Sequence, residues 1–352
     1  MKKLALSLLL VSFLGICATL AMAAAGDDPK IPSMPAAVSN NAVASLQNGL
    51  IIFSLMGVGP RKTWDDVTNQ MYIMRLATAK WTTGSAVPGV AGRLGSVAAG
   101  VRGKVFLFGG YIVDDQGNQL TVSDVNGYVP QDRRWYRAED IPVPVDSAMI
   151  GVMRDRYVYL IGGRSKNGPV NNVQVYDALK NTWSQATPMP GAPVFGHAGG
   201  LAEDTIVYVN GAKKGAANGV PYVVSEECWK GKIDKKDPDK IEWSKLPPHP
   251  GPAHFGIAAG ALDKDRRVVF SGGSAAIHDF KGFGTDGKPV EPSTVTFDFD
   301  VRGNRWETVS EDNIDPRMDG RGILETPVGR LILGGLLKNT AVTARVQMVP
   351  HK

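Results

Sequence analysis

Cysteine is almost absent from this chain of 352 residues, which contains only two. One of them, Cys17, lies in an apolar N-terminal stretch, so Cys228 is the only cysteine that remains if that stretch is removed. No intrachain disulfide can then form, and packing alone must stabilise the fold. Cys228 itself is expected to be a buried thiol, because free cysteine is among the most frequently buried residue types.

The motifs of several common catalytic centres are missing as well. The chain has no H-E-x-x-H, C-x-x-C or G-x-S-x-G sequence, so zinc hydrolases and serine esterases have no support. Residues 282–288 match the glycine pattern of a phosphate-binding loop, but Pro289 takes the Ser/Thr position and prevents a helix from starting there. We therefore expect neither a metal nor another cofactor.

Charge of one sign is also scarce. The net charge is +5, with 39 basic and 34 acidic residues distributed together along the chain. This balance gives no basic surface of the kind that binds nucleic acid. A weak attraction for anionic ligands is compatible with it.

The one long apolar run stands at the N-terminus. Lys2 and Lys3 precede the apolar residues 4–20, and A-x-A sequences end at Ala23 and Ala25. This pattern predicts a signal peptide over residues 1–25, cleaved after Ala23 or Ala25. We expect residues 26–352 to be a monomeric periplasmic domain without a membrane span after cleavage.

Glycine, in contrast, is abundant, and pairs of small residues recur along the chain. The second glycines of six pairs are 48 to 62 residues apart, and a tryptophan follows each of the first five pairs. A period near fifty with this pattern predicts an all-β, six-bladed β-propeller with four antiparallel strands per blade. The pairs are Met56-Gly57, Gly109-Gly110, Gly162-Gly163, Asn210-Gly211, Gly272-Gly273 and Gly334-Gly335, and the tryptophans are Trp81, Trp135, Trp183, Trp243 and Trp306.

Two further patterns agree with a closed ring. A small residue precedes each second glycine by fifteen positions, or by seventeen in the fifth unit, as expected for strands that crowd around an axis. These residues are Ala42, Gly95, Ala148, Gly196, Gly256 and Gly320. The sixth unit lacks a fourth strand, and residues 30–36 resemble residues 185–191 of the third unit, so the N-terminal segment is predicted to close blade six.

The glycine and tryptophan pattern resembles the kelch family of propellers, most closely at residues 172–177 and 181–183. The layout also resembles the periplasmic N-acetylneuraminate epimerases, which are sialic acid mutarotases. That likeness rests on residues 57–64, the insertion 110–124 and the loop 273–293. It implies acid/base isomerisation of an acidic sugar without a cofactor.

In kelch propellers, the turns before the first strand and after the second meet around the channel mouth. Four arginines from different blades fall there, Arg61, Arg93, Arg164 and Arg321, and guanidinium groups suit a carboxylate ligand. Structural ion pairs between blades are the alternative for each of them. Trp64 and Phe255 are candidates for stacking on a sugar ring.

Candidates for proton transfer are His197 and His254, near strand starts, and Glu226 in a third strand. A buried structural histidine and a blade–blade salt bridge are the alternatives. Two hypotheses follow: a mutarotase-like enzyme acting on an acidic sugar such as sialic acid, or a non-catalytic module that binds a periplasmic glycan or protein.

Overall fold

Short strands joined by turns make up nearly all of the regular structure. The computed structural model describes residues 31–216, 219–262, 266–309 and 314–350. The predicted signal peptide, residues 1–25, lies outside the described residues.

The described strands form six consecutive antiparallel sheets, here called blades. Blade one contains β1 (Ala42–Leu46), β2 (Ile51–Leu55), β3 (Met71–Arg75) and β4 (Lys80–Gly84). Blade two contains β5 (Val97–Val101), β6 (Lys104–Phe108), the hairpin β7 (Tyr111–Val113) and β8 (Gln119–Thr121), then β9 (Val125–Val129) and β10 (Arg134–Arg137). Blade three contains β11 (Met149–Met153), β12 (Tyr157–Ile161), the hairpin β13 (Arg164–Ser165) and β14 (Gly168–Pro169), then β15 (Val173–Asp177) and β16 (Thr182–Ala186).

Blade four contains β17 (Ala198–Ala202), β18 (Thr205–Val209), the hairpin β19 (Ala212–Lys214) and β20 (Tyr222–Val224), then β21 (Cys228–Ile233) and β22 (Ile241–Lys245). Blade five contains β23 (Ala258–Leu262), β24 (Arg267–Ser271), β25 (Thr296–Asp300) and β26 (Arg305–Thr308). Blade six contains β27 (Leu324–Thr326), β28 (Gly329–Leu333) and β29 (Val346–Val349). Three short 3₁₀ helices lie at Trp64–Asp66, Leu76–Thr78 and Lys338–Thr340.

The first strands of the blades make the ring. Each of β1, β5, β11, β17, β23 and β27 contacts the first strand of the next blade, and β27 contacts β1 again. Within each blade, consecutive strands are antiparallel neighbours, as in β11–β12–β15–β16. The predicted six-bladed propeller is therefore confirmed.

Apolar side chains fill the spaces between blades. Six buried clusters each combine residues from two neighbouring blades, including one between blade six and blade one. All five predicted tryptophans pack at the edge of these clusters, which confirms their role as wedge fillers. The second strands, such as β2 and β18, are buried along their whole length, because a blade covers each face.

The strands nearest the axis approach each other at glycine. A Cβ atom at Gly260 would overlap the carbonyl oxygen of Ile323 in blade six, and one at Gly100 would overlap that of Ser45 in blade one. Only a residue without a side chain allows this approach.

The small residues aligned from the sequence do not form one structural column. Gly95, Gly196 and Gly256 occupy a left-handed turn position, whereas Ala42 already belongs to β1. The turn between the first two strands differs in length from blade to blade, so a fixed count back from the glycine pair reaches different positions.

Backbone hydrogen bonds of one kind link neighbouring blades at five of the six junctions in the described residues. The second glycine of a pair donates its N–H to a carbonyl just before the next blade's first strand. The pairs are Gly57 to Arg93, Gly110 to Val145, Gly163 to Val194, Gly273 to Arg317 and Gly335 to Val38. The last of these joins blade six to the N-terminal segment.

The N-terminal segment lies where blade six lacks a fourth strand. Trp135 and Trp183 donate their indole N–H to carbonyls that follow the fourth strand of the preceding blade, Ser85 and Glu139, and Trp81 donates in the same way to Pro32. Met34 then donates its N–H to the Ala344 carbonyl of blade six. Closure by the N-terminal segment is thus confirmed from residue 31 onward. Residues 31–36 form no regular strand, however, so blade six has three regular strands among the described residues instead of the predicted four. Residue 30 and those before it lie outside the described residues.

Substitution of Met34 by Ala tests this closure. Met34 is as deeply buried as Met189, which occupies the equivalent position between blades three and four. We expect Met34→Ala and Met189→Ala each to lower the free energy of unfolding by about 2–5 kcal/mol, the usual cost of truncating a core methionine. Urea unfolding measures both. A cost near zero for Met34→Ala alone would show that the N-terminal segment does not close the ring.

Candidate functional site

The two sets of turns predicted around the channel mouth do lie together on one face. In every blade an isolated β-bridge pairs a residue before the first strand with a residue after the second. These pairs are Ser39–Val58, Leu94–Tyr111, Asp146–Arg164, Phe195–Ala212, Phe255–Ser274 and Met318–Leu336. We call this end of the ring the mouth.

A central channel with a volume of about 1000 Å³ runs between the first strands. Arg321 and His197 belong to its lining near the mouth, and residues 47–49, Glu203 and Glu325 line its other end. The glycines of the first strands expose backbone along its wall.

Arg164, from blade three, is held at the mouth by a buried carboxylate. Its Nε lies 3.1 Å from Oδ2 of Asp146, and its Nη2 donates to Gln119 of blade two at 2.7 Å. The guanidinium lies over the ring of Tyr111, 5.1 Å from its centroid. Burial raises the pKa of Asp146, and Arg164 offsets this only partly.

Arg321, from blade six, is held by an amide instead. Its Nε and Nη2 donate to Oδ1 of Asn40 in blade one at 3.1 and 2.5 Å. Its Nη1 has no hydrogen-bond partner among the described residues. One edge of this guanidinium is therefore available to a ligand in the channel.

Asp319 and His278 form a buried ion pair beside Arg321. His278 Nε2 lies 3.1 Å from Asp319 Oδ2, and His278 Nδ1 lies 3.1 Å from the Ala276 carbonyl. Burial alone would lower the pKa of His278, but the charge and hydrogen bond of Asp319 outweigh it and raise that pKa. Both ring nitrogens are engaged, so His278 has no free nitrogen with which to act as a base.

Tyr111, from blade two, completes the mouth. Its hydroxyl makes no hydrogen bond within the described ranges, and the charges of Asp146, Arg164, Arg321 and Asp319 all act on it. Burial raises its pKa above the ordinary value, so the phenol stays protonated at neutral pH.

Several polar groups of the mouth thus lack a partner in the part of the chain that the structure describes, and four of them come from four different blades. These four are Asp146 Oδ1, Asn40 Nδ2, Arg321 Nη1 and the Tyr111 hydroxyl, of which the first two are fully buried. A buried polar group without a hydrogen bond costs about 1–3 kcal/mol. Such a cost is characteristic of groups that bind something else.

Asn40 and Asp319 also occupy strained backbone positions. Both have left-handed φ values of 54°, at a turn position that Gly95, Gly196 and Gly256 fill in blades two, four and five. Asn and Asp tolerate this conformation better than most residues, but glycine fits best. Their presence in blades six and one indicates a use for the side chains.

Two residues predicted to bind the substrate or transfer protons, Arg93 and His254, contact backbone carbonyls of their own blade instead. Arg93 donates Nη1 to the Gly109 carbonyl at 3.1 Å, and His254 Nδ1 lies 3.2 Å from the Gly272 carbonyl. Arg317 makes the same contact with Gly334 in blade six. These side chains tie the turn before the first strand to the glycine pair of their own blade, and burial lowers the pKa of Arg93 to about 10.

The remaining aromatic and arginine candidates lie around the mouth without converging on it. Arg61 is exposed and pairs with Asp65 and Asp66 of its own loop. Trp64, in the same loop, is 51% exposed. Phe255 is buried and packs edge-on against Phe195 and His278.

His197 and Glu226 lie apart from each other. The His197 ring is buried against Tyr208, and neither nitrogen has a hydrogen-bond partner among the described residues. Glu226 is exposed in a separate groove beside His249 and Lys213, between blades four and five. The structure does not bring His197, His254 and Glu226 to one catalytic centre.

Sequence reasoning named Arg164 and Arg321 but gave no role to Tyr111, Asp146, Asn40 or Asp319. The signal was present: each lies beside a glycine pair or just before a first strand.

Two other features of the described ranges bear on chemistry. No group of three or more His, Cys, Asp or Glu residues in them is arranged to hold a metal ion. No helix among these residues has the length and apolar character needed to cross a membrane.

His197 makes the fold sensitive to acid. Burial lowers its pKa to about 4 from 6.5, with the backbone of Ile161 offsetting only part of the effect. The unfolded chain therefore binds a proton between pH 6.5 and pH 4 that the folded chain does not, and stability falls as the pH falls through this window. The 2.5-unit difference corresponds to about 3 kcal/mol.

Replacement of His197 by Leu should remove this dependence. We expect the stability advantage of the wild type at pH 7 over pH 4 to shrink by about 3 kcal/mol in His197→Leu. Urea unfolding at a series of pH values measures the difference between the two proteins. Parallel curves would contradict the assignment.

Comparison with known proteins agrees with the architecture. A family model described as the KLHDC2/KLHL20/DRC7 Kelch-repeats domain matches residues 40–273. Proteins named N-acetylneuraminate epimerase from Salmonella arizonae and Salmonella typhi are each 25% identical, over 79% of this chain and 78% of theirs. The solved structure titled "Structure of YjhT" superposes with a TM-score of 0.72 at 18% identity and covers 90% of this chain and 95% of that one. Because the family model spans more than half of the sequence, the chain belongs to the kelch-repeat family.

Proposed function

We propose that the protein binds an acidic sugar at the mouth and interconverts its anomers. The observation that carries this proposal is the set of four unpartnered polar groups, contributed by blades one, two, three and six. The set combines donors, one carboxylate oxygen and one phenol. The relatives named N-acetylneuraminate epimerase support the choice of substrate class.

The carboxylate of the sugar would bind to the donors. Arg321 Nη1 offers a charged N–H, and Asn40 Nδ2 offers a neutral one from the residue that already orients Arg321. Charge-assisted hydrogen bonds of this kind are about twice as strong as neutral ones. Arg164 adds positive potential from the other side of Tyr111.

The proton transfers would fall to Asp146 and Tyr111. Asp146 accepts the proton of the anomeric hydroxyl, and Tyr111 donates its phenolic proton to the ring oxygen as the ring C–O bond breaks and the carbonyl forms. Reclosure on the other face of the carbonyl returns both protons, so no cofactor is consumed. The raised pKa of Asp146 makes it a better base than an exposed carboxylate, and that of Tyr111 keeps its proton in place beforehand.

NMR of freshly dissolved N-acetylneuraminate tests the activity. The wild type should accelerate the approach to the α/β equilibrium, and Asp146→Asn should lower kcat by about 10²–10⁴, the range of general acid–base contributions. Arg321→Gln should raise KM more than it lowers kcat, because it removes binding. Arg305→Gln, on an outer strand and paired with Glu307, is the control that should behave as wild type.

The same experiment separates the two hypotheses. Binding of the sugar without faster equilibration would favour the non-catalytic module, which needs the four unpartnered groups but no proton transfer. If the sugar neither binds nor equilibrates faster, an acidic-sugar function is rejected. Circular dichroism of each variant establishes that it is folded.

We further propose export to the periplasm through the predicted signal peptide of residues 1–25. The support is the charged, apolar and A-x-A pattern of the sequence. N-terminal sequencing of protein from a periplasmic fraction should begin at Ala24 or Gly26. A chain that keeps Met1 and stays in the cytoplasm would contradict this.

A further inference from the structure

A loop of blade five, residues 274–290, lies across the mouth. Phe280 packs against a cluster that contains Val58 and Tyr111, from blades one and two. Ile277 packs against a cluster that contains Phe195, from blade four. Because these blades stand on different sides of the ring, the loop crosses the mouth and covers Tyr111.

The outer part of this loop, residues 279–290, is a self-contained unit. Asp279 accepts the N–H groups of Lys281 and Phe283 on its side chain, at 2.9 and 3.0 Å. The N–H of Gly284 bonds to the Lys288 carbonyl, and that of Val290 bonds to the Gly282 carbonyl. Hydrogen bonds closed within the unit allow it to move as one body, with the chain on either side as hinge.

One lysine fastens the tip of this unit to the rest of the ring. Lys62 Nζ donates to Thr340 Oγ1 at 2.5 Å, to the Thr340 carbonyl at 2.9 Å and to the Lys281 carbonyl at 3.1 Å. All three ammonium donors are used, so this side chain joins both blade one and blade six to the tip. Val290, at the end of the unit, also packs with Met318 and Leu336 of blade six. The base of the loop is fixed separately, by the buried pair of His278 with Asp319.

The loop therefore contacts Asp319 of the candidate site directly and packs on the cluster that contains Tyr111. Asp146 Oδ1 and Asn40 Nδ2 of the same site are excluded from solvent. A ligand that approaches these groups from the mouth meets this loop first.

We propose that residues 279–290 are a flap that gates the mouth, released at Lys62 and hinged at the His278–Asp319 pair. The identity of the admitted ligand rests on the proposed function, whereas the opening itself does not. Loops of this kind commonly open on the microsecond to millisecond timescale and commit the substrate when they close.

Thiol labelling tests the opening without any ligand. Val58→Cys places a thiol under Phe280, at a fully buried and nearly isosteric position. A small thiol reagent should modify it about tenfold faster when Lys62→Met is added, because opening controls access. Lys338→Met, an exposed lysine on the same face, is the matched control and should leave the rate unchanged.

Two checks keep the labelling test decisive. The labelling rate of Cys228 in the parent protein gives the background, which should be low because Cys228 is buried and its pKa is raised to about 11. If Val58→Cys does not fold, Val113→Cys reports on the same covered cluster. Equal labelling rates with and without Lys62→Met would overturn the flap.

A second measurement asks whether the flap controls access. Stopped-flow association of N-acetylneuraminate should be about tenfold faster in Lys62→Met than in the wild type, in line with the labelling rate. Equal association rates despite faster labelling would overturn the gate and indicate access through the opposite end of the channel. If the sugar does not bind at all, the proposed function fails, and the labelling rates still decide whether the flap opens.

Discussion

The backbone hydrogen bond from the second glycine of a pair to the next blade, seen for five of the six pairs in the described residues, is the contact on which the ring depends. The second glycines have φ values between 84° and 103°, outside the range that residues with a side chain adopt comfortably. The first residue of each pair is also left-handed, but with φ between 50° and 77°, and Met56 and Asn210 occur there. This difference explains why the second position is glycine in all six pairs while the first is not.

That constraint also places the polar groups of the mouth. Two consecutive left-handed residues turn the chain sharply at the end of the second strand, so the following residue pairs with the turn before the first strand. Tyr111 and Arg164 stand at this following position in blades two and three. Asn40 and Asp319 stand in the facing turn, where the N–H of Asn40 bonds to the Asp319 carbonyl from blade six to blade one. The hydrogen bonds that close the ring therefore also set the spacing of the candidate site.

The sequence was sufficient for the fold because the repeat is a local pattern. Glycine pairs and wedge tryptophans recur once per blade because each blade meets its neighbour in the same way, and the structure contains both. The site was less predictable, because its residues come from four blades. Whether a residue belongs to the site depends on where its side chain points as well as on its position in the sequence. Arg93 and Arg321 look alike in the sequence, yet Arg93 turns toward the Gly109 carbonyl of its own blade and Arg321 lines the channel. Arg93 lies just before the bridge residue Leu94, whereas Arg321 lies three residues after the bridge residue Met318, so the two side chains leave their turns at different places.

Buried polar groups without a hydrogen bond occur both in structural residues and in the candidate site, but their surroundings differ. Arg93 and Arg317 also keep unpartnered nitrogens, but each is fixed by hydrogen bonds to two backbone carbonyls of its own blade. At the mouth, acceptors and donors from separate blades lie within electrostatic range of one phenol. A rigid ring can hold such groups in place without partners, because its stability comes from six apolar clusters elsewhere. Preorganised groups of this kind need little rearrangement when a ligand arrives, which is what binding and proton transfer at one site require.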